Sequence, residues 1–205
     1  MKKSYLYLLL AVAVAFLGYN SVYFEKLSER QPEAEEAFDY HAFADSLYYQ
    51  GILKLESPIE LTSLLEQVKA NPDQAFEAYG NRLGIGNSAY FMVKYTSTIF
   101  EKNEGGIWLT TEERGGVEVN TRYIFGNALR DASGLVKLTD FKTNAEFNQV
   151  SEALNALIRT AVMPPIVAQL EEGQQIEVIG AIKLSKKHVD SPDLVITPTH
   201  IKPVP

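Results

Sequence analysis

Apolar residues run almost unbroken from position 5 to position 19 (YLYLLLAVAVAFLGY) and resume at Val22, Tyr23 and Phe24, just after Lys2 and Lys3. A charged start followed by such a run directs a chain into or across a membrane. As a helix, residues 5–24 would extend about 30 Å at about 1.5 Å per residue, enough for a bilayer core. Tyr5, Tyr7, Tyr19 and Tyr23 stand near its two ends, as interfacial aromatics do. Every acidic residue follows the run. The pattern therefore predicts a signal-anchor, or transmembrane, helix over 1–24, in the cytoplasmic (inner) membrane. The N-terminus is expected in the cytoplasm and the C-terminal part in the periplasm or another extracytoplasmic space. A cleaved signal peptide is the competing outcome: Ala11, Ala13, Ala15 and Gly18 supply small residues, but no clear site follows the apolar core. Lipidation is not expected, because Tyr19 stands where a lipidated cysteine would follow Gly18.

Residues 25–36 (EKLSERQPEAEE) read as a charged connector. A helix is expected from about 37 to 53, with Phe38, Ala42, Leu47 and Tyr48 among its apolar positions. The next has a marked start, with Ser57 as N-cap, Pro58 in the first turn and Glu60 completing a capping box. Leu61, Leu64, Leu65 and Val68 form its apolar face. Asn71 and Pro72 open a short helix carrying Phe76 and Tyr79, with Gly80 as its stop.

The pattern changes at Gly84-Ile85-Gly86-Asn87. Aromatic and β-branched residues at 88–100 (SAYFMVKYTSTIF) predict a long strand, 107–111 a second and the alternating 117–125 (VEVNTRYIF) a third. Residues 126–134 (GNALRDASG) read as a loop, and 135–141 as a short extended piece or turn. A long amphipathic helix then starts with a second capping box, Thr143 and Glu146, and presents Phe147, Val150, Leu154, Leu157, Ile158 and Ala161. Met163-Pro164-Pro165 is expected to break or kink it. Residues 175–184 (QIEVIGAIKL) predict a fourth strand, with Gly180 at a bulge or bend. A fifth, 194–197, is bounded by Pro192 and Pro198.

That order, three strands, a helix, two strands, is the order of the OB-fold, a five-stranded Greek-key barrel with a helix between strands three and four. The predicted class is α+β: an N-terminal helix, a helical segment, then an OB-fold-like five-stranded barrel. A plain α+β sheet with helices on one face is the competing architecture. The expected divisions are 1–24, the connector at 25–36 and one extracytoplasmic domain at 37–205, helical over 37–83 and barrel-like over 84–205.

Composition sharpens this picture. Hydrophobic residues make up 46% and charged residues 22% of the 205, which suits one globular domain with a proper core. The formal net charge is −7, and the part after Phe24 holds 17 basic against 26 acidic residues. An acidic domain repels phosphate backbones, so no nucleic-acid partner is expected. With no cysteine, disulfides, thiolate metal sites and a cysteine nucleophile are excluded.

Residues 19–27 (YNSVYFEKL), Gly84-Ile85-Gly86-Asn87, Phe125-Gly126-Asn127-Ala128, Arg130-Asp131-Ala132-Ser133-Gly134, Phe147-Asn148 and Pro164-Pro165 together resemble bacterial proteins grouped as DUF2291. These are described as predicted periplasmic lipoproteins. The resemblance covers nearly the whole chain and brings no established catalytic residues. It implies an accessory role beside sugar ABC-transporter components. The lipidated cysteine of some members has no counterpart in this sequence.

The remaining candidates are polar residues. Gly84-Ile85-Gly86-Asn87 leads into a strand, whereas a dinucleotide fingerprint leads from a strand into a helix, so it reads as a glycine turn or a ligand loop. Asn127, Arg130, Asp131 and Ser133 form the candidate ligand site, because planar Asn, Asp and Arg side chains pair directionally with sugar hydroxyls. The competing reading is that they hold an irregular loop together. Trp108 is the candidate stacking platform, or simply part of the core. His41, His188 and His200 lack the spacing of a helical zinc site, and neither metal nor cofactor is expected. No nucleophile elbow occurs. The expected function is thus a membrane-anchored accessory protein that binds a carbohydrate or a transporter component. A hydrolase using Asp131, Asp140 or a histidine, or a purely structural envelope protein, is the alternative.

Overall fold

The computed structural model describes residues 3–21, 38–56, 58–82, 84, 86–111, 116–188 and 194–204. Contacts divide the chain into two units, Met1–Phe38 and Asp39–Pro205. In the first, α1 (Lys3–Ser21) is a helix of 19 residues. Its rise is about 28 Å at about 1.5 Å per residue, just under a hydrocarbon core of about 30 Å. Among the described residues no helix is long and apolar enough to cross a membrane. The expected span runs on to Phe24; residues 22–24, like the connector at 25–36, lie outside the described residues.

Among the described residues the second unit is built on six strands: β1 (Ile59–Glu60), β2 (Ser88–Lys102), β3 (Ile107–Leu109), β4 (Val117–Val119), β5 (Gln175–Ser185) and β6 (Leu194–Pro203). They pair in the order β1-β2-β3-β4-β6-β5, and β2 pairs with β5 as well, so the pairings return to the long strand. The β4–β6 and β1–β2 pairs are parallel and the others antiparallel. Alternation along β2 buries Ala89, Phe91, Val93, Tyr95 and Ile99; Ile176, Val178, Ile182 and Leu184 of β5 join the same core.

The fifth expected strand does not stop at Pro198. It continues to Pro203 because a bulge absorbs the proline: Ile179 pairs with His200 and Gly180 with Pro198, leaving Thr199 extra. The extra residue shifts the inward phase, so Ile196 and Ile201 are both buried although five positions apart. Gly180 lies where the two backbones approach closely. A Cβ there would sit 2.9 Å from Pro198 Cα and 2.6 Å from Ile196 Cγ2.

The helical first third forms largely as its pattern predicts. α2 (Tyr40–Ser46) starts on Asp39, whose carboxylate accepts from the His41 and Ala42 amides, each at 3.0 Å. It widens into a π turn at Leu47–Gly51 and tightens into a 3-10 turn at Ile52–Lys54. Ala44, Leu47, Tyr48 and Ile52 are buried, whereas Phe38 and Ala42 are exposed. α3 (Leu61–Ala70) begins later than expected, because Ile59 and Glu60 stay extended to pair with β2. Glu60 makes no side-chain cap bond, and Ser57 lies outside the described residues. α4 (Pro72–Tyr79) is capped by Asn71 Oδ1, which accepts from the Gln74 amide at 3.2 Å.

Two expectations between β4 and β5 are corrected. The third strand ends at Val119 rather than Phe125, and the expected loop at 126–134 contains a six-residue helix, α5 (Ala128–Ser133). Residues 123–125 do alternate, with Ile124 buried and its neighbours exposed, but side chains take the carbonyls of Ile124 and of Gly126 just beyond. Arg159 Nη1 donates to Ile124 O at 2.6 Å and Asn155 Nδ2 to Gly126 O at 2.7 Å. Gly134, at φ 65°, ends α5 in the left-handed conformation. The long helix, α6 (Asn144–Leu157), is not broken at the prolines. A π turn at Ile158–Val162 leads into α7 (Met163–Val167), and the wider turn makes room for residues that lack an amide proton.

Candidate functional site

α5 carries three of the residues singled out from the sequence, and all three are buried: Arg130, Asp131 and Ser133. The Arg130 guanidinium folds back on its neighbour, with Nε and Nη2 at 2.8 and 2.7 Å from Asp131 Oδ1. Its Nη1 donates to the Phe147 carbonyl at 2.8 Å, and the group lies 3.4 Å from the centroid of the Phe147 ring. Ser133 Oγ donates to the Arg130 carbonyl at 2.6 Å and accepts from the Leu135 amide at 3.3 Å. The hydrogen-bonding groups of these side chains are turned inward, as buried charges require. Arg130 therefore holds α5 against α6, and Ser133 ties off the end of α5 itself.

Asn127 differs: it is half-buried at the start of α5 and reaches outward. Its amide nitrogen donates to Asp131 Oδ2, and its Oδ1 accepts from the Tyr90 hydroxyl at 3.2 Å. Burial, then the Asp131 carboxylate, raises the Tyr90 hydroxyl above its ordinary pKa, against the opposing Arg130 charge and the Asn127 hydrogen bond. Tyr90 thus remains a proton donor at neutral pH. A hydrogen-bonded line runs from Tyr90 on β2 through Asn127 and Asp131 to Arg130 and the α6 backbone.

A hollow of about 330 Å³ opens in front of this line, bounded by Arg82, Gly84, Gly86, Asn87, Ser88, Tyr90, Asn127 and Asp131. Both glycine-asparagine segments of the sequence meet there. Neither Gly84 nor Gly86 has a positive φ, and nothing lies within 4 Å of a Cβ built on either. The fold at these two positions does not require glycine; the result is bare backbone along one wall. Arg82 Nη1 donates to Gly86 O at 3.2 Å and braces that wall.

Trp108 is not part of this cluster. It is half-buried on β3, paired with Glu101 and Glu118, at the opposite end of β2 from Tyr90. Asp140 spends its carboxylate on its own 3-10 turn, accepting from the Lys137 amide at 2.9 Å. His41 and His188 are exposed on α2 and just after β5; His200 is half-buried on β6. Among the described residues no group of three or more His, Asp or Glu side chains is placed to hold a metal ion. Sequence reasoning missed Arg82, Ser88 and Tyr90. The alternation of β2 carried a signal for Tyr90: with Ala89 and Phe91 inward, it must face out.

The strand pairings and the position of α5 and α6 between β4 and β5 define a mixed α+β protein of OB-fold type. The structure is similar to the crystal structure of an OB-fold protein from Thermotoga maritima. The TM-score is 0.73 at 21% identity, over 82% of this chain and 100% of that one. The chain belongs to the family DUF2291, described as predicted periplasmic lipoprotein, whose model matches residues 12–202. That description puts the family outside the cytoplasm. No curated protein matches the chain.

Proposed function

We propose that this protein is a non-enzymatic accessory of a sugar ABC-transport system that binds a small carbohydrate in the hollow beside Tyr90 and Asn127. The observation that carries the reading is the meeting of Gly84, Gly86 and the start of α5 around an open, tyrosine-sided hollow. Its volume falls at the lower end of ligand pockets, about 300–1,000 Å³, which suits a single sugar ring. Arg82 supplies donors, Asn87 and Ser88 supply both donors and acceptors, and Tyr90 offers a ring edge. The bare backbone at Gly84 and Gly86 lets a ligand approach the chain closely. The link to a transporter rests on the family resemblance. The circuit of pairings from β2 back to β2 supports a closed five-stranded barrel beneath the site.

In the same reading, residues 1–24 are retained as a signal anchor with the domain outside the membrane. The support is α1 itself: Leu10, Val12, Val14, Phe16 and Leu17 are exposed around its circumference, a surface suited to lipid. Thermal unfolding of the detergent-solubilised full-length protein against a panel of monosaccharides tests the site. A cognate sugar should raise the midpoint for wild type and fail to do so for Arg82→Ala and Asn87→Ala; silence across the panel would sink the carbohydrate reading. Intact-mass measurement of the membrane-fraction protein tests the anchor, since cleavage near residues 14–22 would mean release.

A further inference from the structure

A second hollow, of about 650 Å³, opens on the loop between β4 and α5, away from the residues that bound the first. Tyr123 and Phe125 on this loop are 61% and 56% exposed, while Ile124 between them is fully buried. The backbone here is pinned by Arg159 and Asn155 of the α6 region, so the loop cannot fold over to cover its aromatic rings. The Arg159 guanidinium also lies 4.3 Å from the Phe125 ring centroid, which fixes one face of the ring and leaves it oriented. Exposed aromatic side chains whose freedom is already spent are what anchors of protein interfaces consist of. Met163, Pro164 and Val167 extend the apolar floor, delivered there by the π turn before α7.

The rim adds a charge preference. Arg122 meets Glu104 at 3.4 Å, with both side chains largely in water, a pairing that solvent screens and a competitor can displace. Arg122 is paired with Glu104 and Arg159 with Glu152 at 3.7 Å, so Lys102, whose amine donates to the Val167 and Leu170 carbonyls at 2.8 and 2.6 Å, leaves the hollow one positive charge in excess on a chain whose formal net charge is −7. Local charge of opposite sign to the whole selects an acidic binding segment.

We propose that this hollow docks a short acidic segment of a partner protein, with an apolar side chain seated against Phe125 and Pro164 and a carboxylate paired with Arg122. The site is independent of the carbohydrate hollow. Fluorescence anisotropy tests it with the full-length protein in detergent and three labelled peptides: a tryptophan flanked by glutamates, the same flanked by lysines, and a glutamate peptide with alanine for tryptophan. The glutamate–tryptophan peptide should bind, weaken with added salt, and lose at least tenfold in affinity against Phe125→Ala. Phe125→Leu should lose less, and Arg122→Glu should turn the preference toward the lysine peptide. Phe125→Ala should keep the wild-type melting midpoint, since the ring is mostly exposed. Absence of binding, equal binding of the acidic and basic peptides, or full affinity in Phe125→Ala would overturn the proposal. So would a wild-type dimer in sedimentation that Phe125→Ala converts to monomer, because a second copy would then be the occupant.

Discussion

The hydroxyl of Tyr48 donates to the carbonyl oxygen of Thr199 at 2.9 Å, across 151 positions of sequence. Thr199 is the extra residue of the β6 bulge and is fully buried. Its own Oγ1 donates to Ile179 O at 3.0 Å. The π turn after α2 brings Tyr48 to this buried carbonyl, so the helical segment is hydrogen-bonded to the sheet.

Tyr48→Phe should therefore destabilise the protein by about 1–3 kcal/mol, the cost of an unsatisfied buried acceptor. Urea unfolding of both proteins at neutral pH measures it.

The same residue predicts an alkaline effect. Burial, with a smaller contribution from Tyr49, pushes the Tyr48 hydroxyl up to about 12. The unfolded chain loses this proton near pH 10, the folded one about two units later. Stability is complete below pH 10 and falls as pH rises through 12, by up to roughly 3 kcal/mol. Tyr48→Phe should lack this component, so the gap between wild type and variant narrows between pH 10 and 12.

His200 predicts the opposite limb. Burial, then Lys202, lowers its pKa below 6.5, against the pull of Glu177. The unfolded chain then takes up the proton first as pH falls, so stability is present above pH 6.5 and lost as pH drops through the lower folded value. His200→Gln should flatten that loss in unfolding midpoints measured from pH 7 to pH 5.

For the buried pair, Arg130→Met and Asp131→Leu should each cost about 3–5 kcal/mol, because each strands the other charge. The double variant should cost less than the two singles added together. Additive costs in chemical denaturation would mean that the pair is not coupled.

The glycines divide into two kinds. Gly180→Ala drives a methyl into the opposing backbone and should destabilise by about 1–3 kcal/mol or more. Gly86→Ala meets nothing and has no positive φ to lose, so it should be neutral or stabilise by up to about 1 kcal/mol. If Gly86→Ala also abolishes the sugar-induced midpoint shift, the glycine serves the ligand rather than the fold.

Local physics made much of this chain legible from its sequence. Periodicity marked α3, α4 and α6, the β-branched run marked β2, and Gly180 announced the bulge, because each signal depends on neighbours a few residues away. The order of strands and helix was enough to point to an OB-fold. The misreadings share one cause, a distant partner overriding the local pattern. Residues 123–125 alternate like a strand, yet Arg159 takes the Ile124 carbonyl and Asn155 the Gly126 carbonyl just beyond. Residues 128–133 look like a loop, yet the guanidinium of Arg130 finds Asp131 and the Phe147 carbonyl, and a buried helix results.

The candidate site divides in the same way. Residue type alone brought Asn127, Arg130, Asp131 and Ser133 forward, since planar polar groups suit both sugar hydroxyls and buried networks. Which of those two a side chain serves is a matter of direction, and direction is set by packing. Only the tertiary structure turned Arg130 and Ser133 inward, left Trp108 at the far end of β2, and set Tyr90, Arg82, Gly84 and Gly86 around Asn127. The sequence by itself determined the charged, apolar start, the net negative charge and the order of the long strands and helices. The fold alone decided which polar atoms face water, because burial is a property of the whole assembly of elements and not of any one of them.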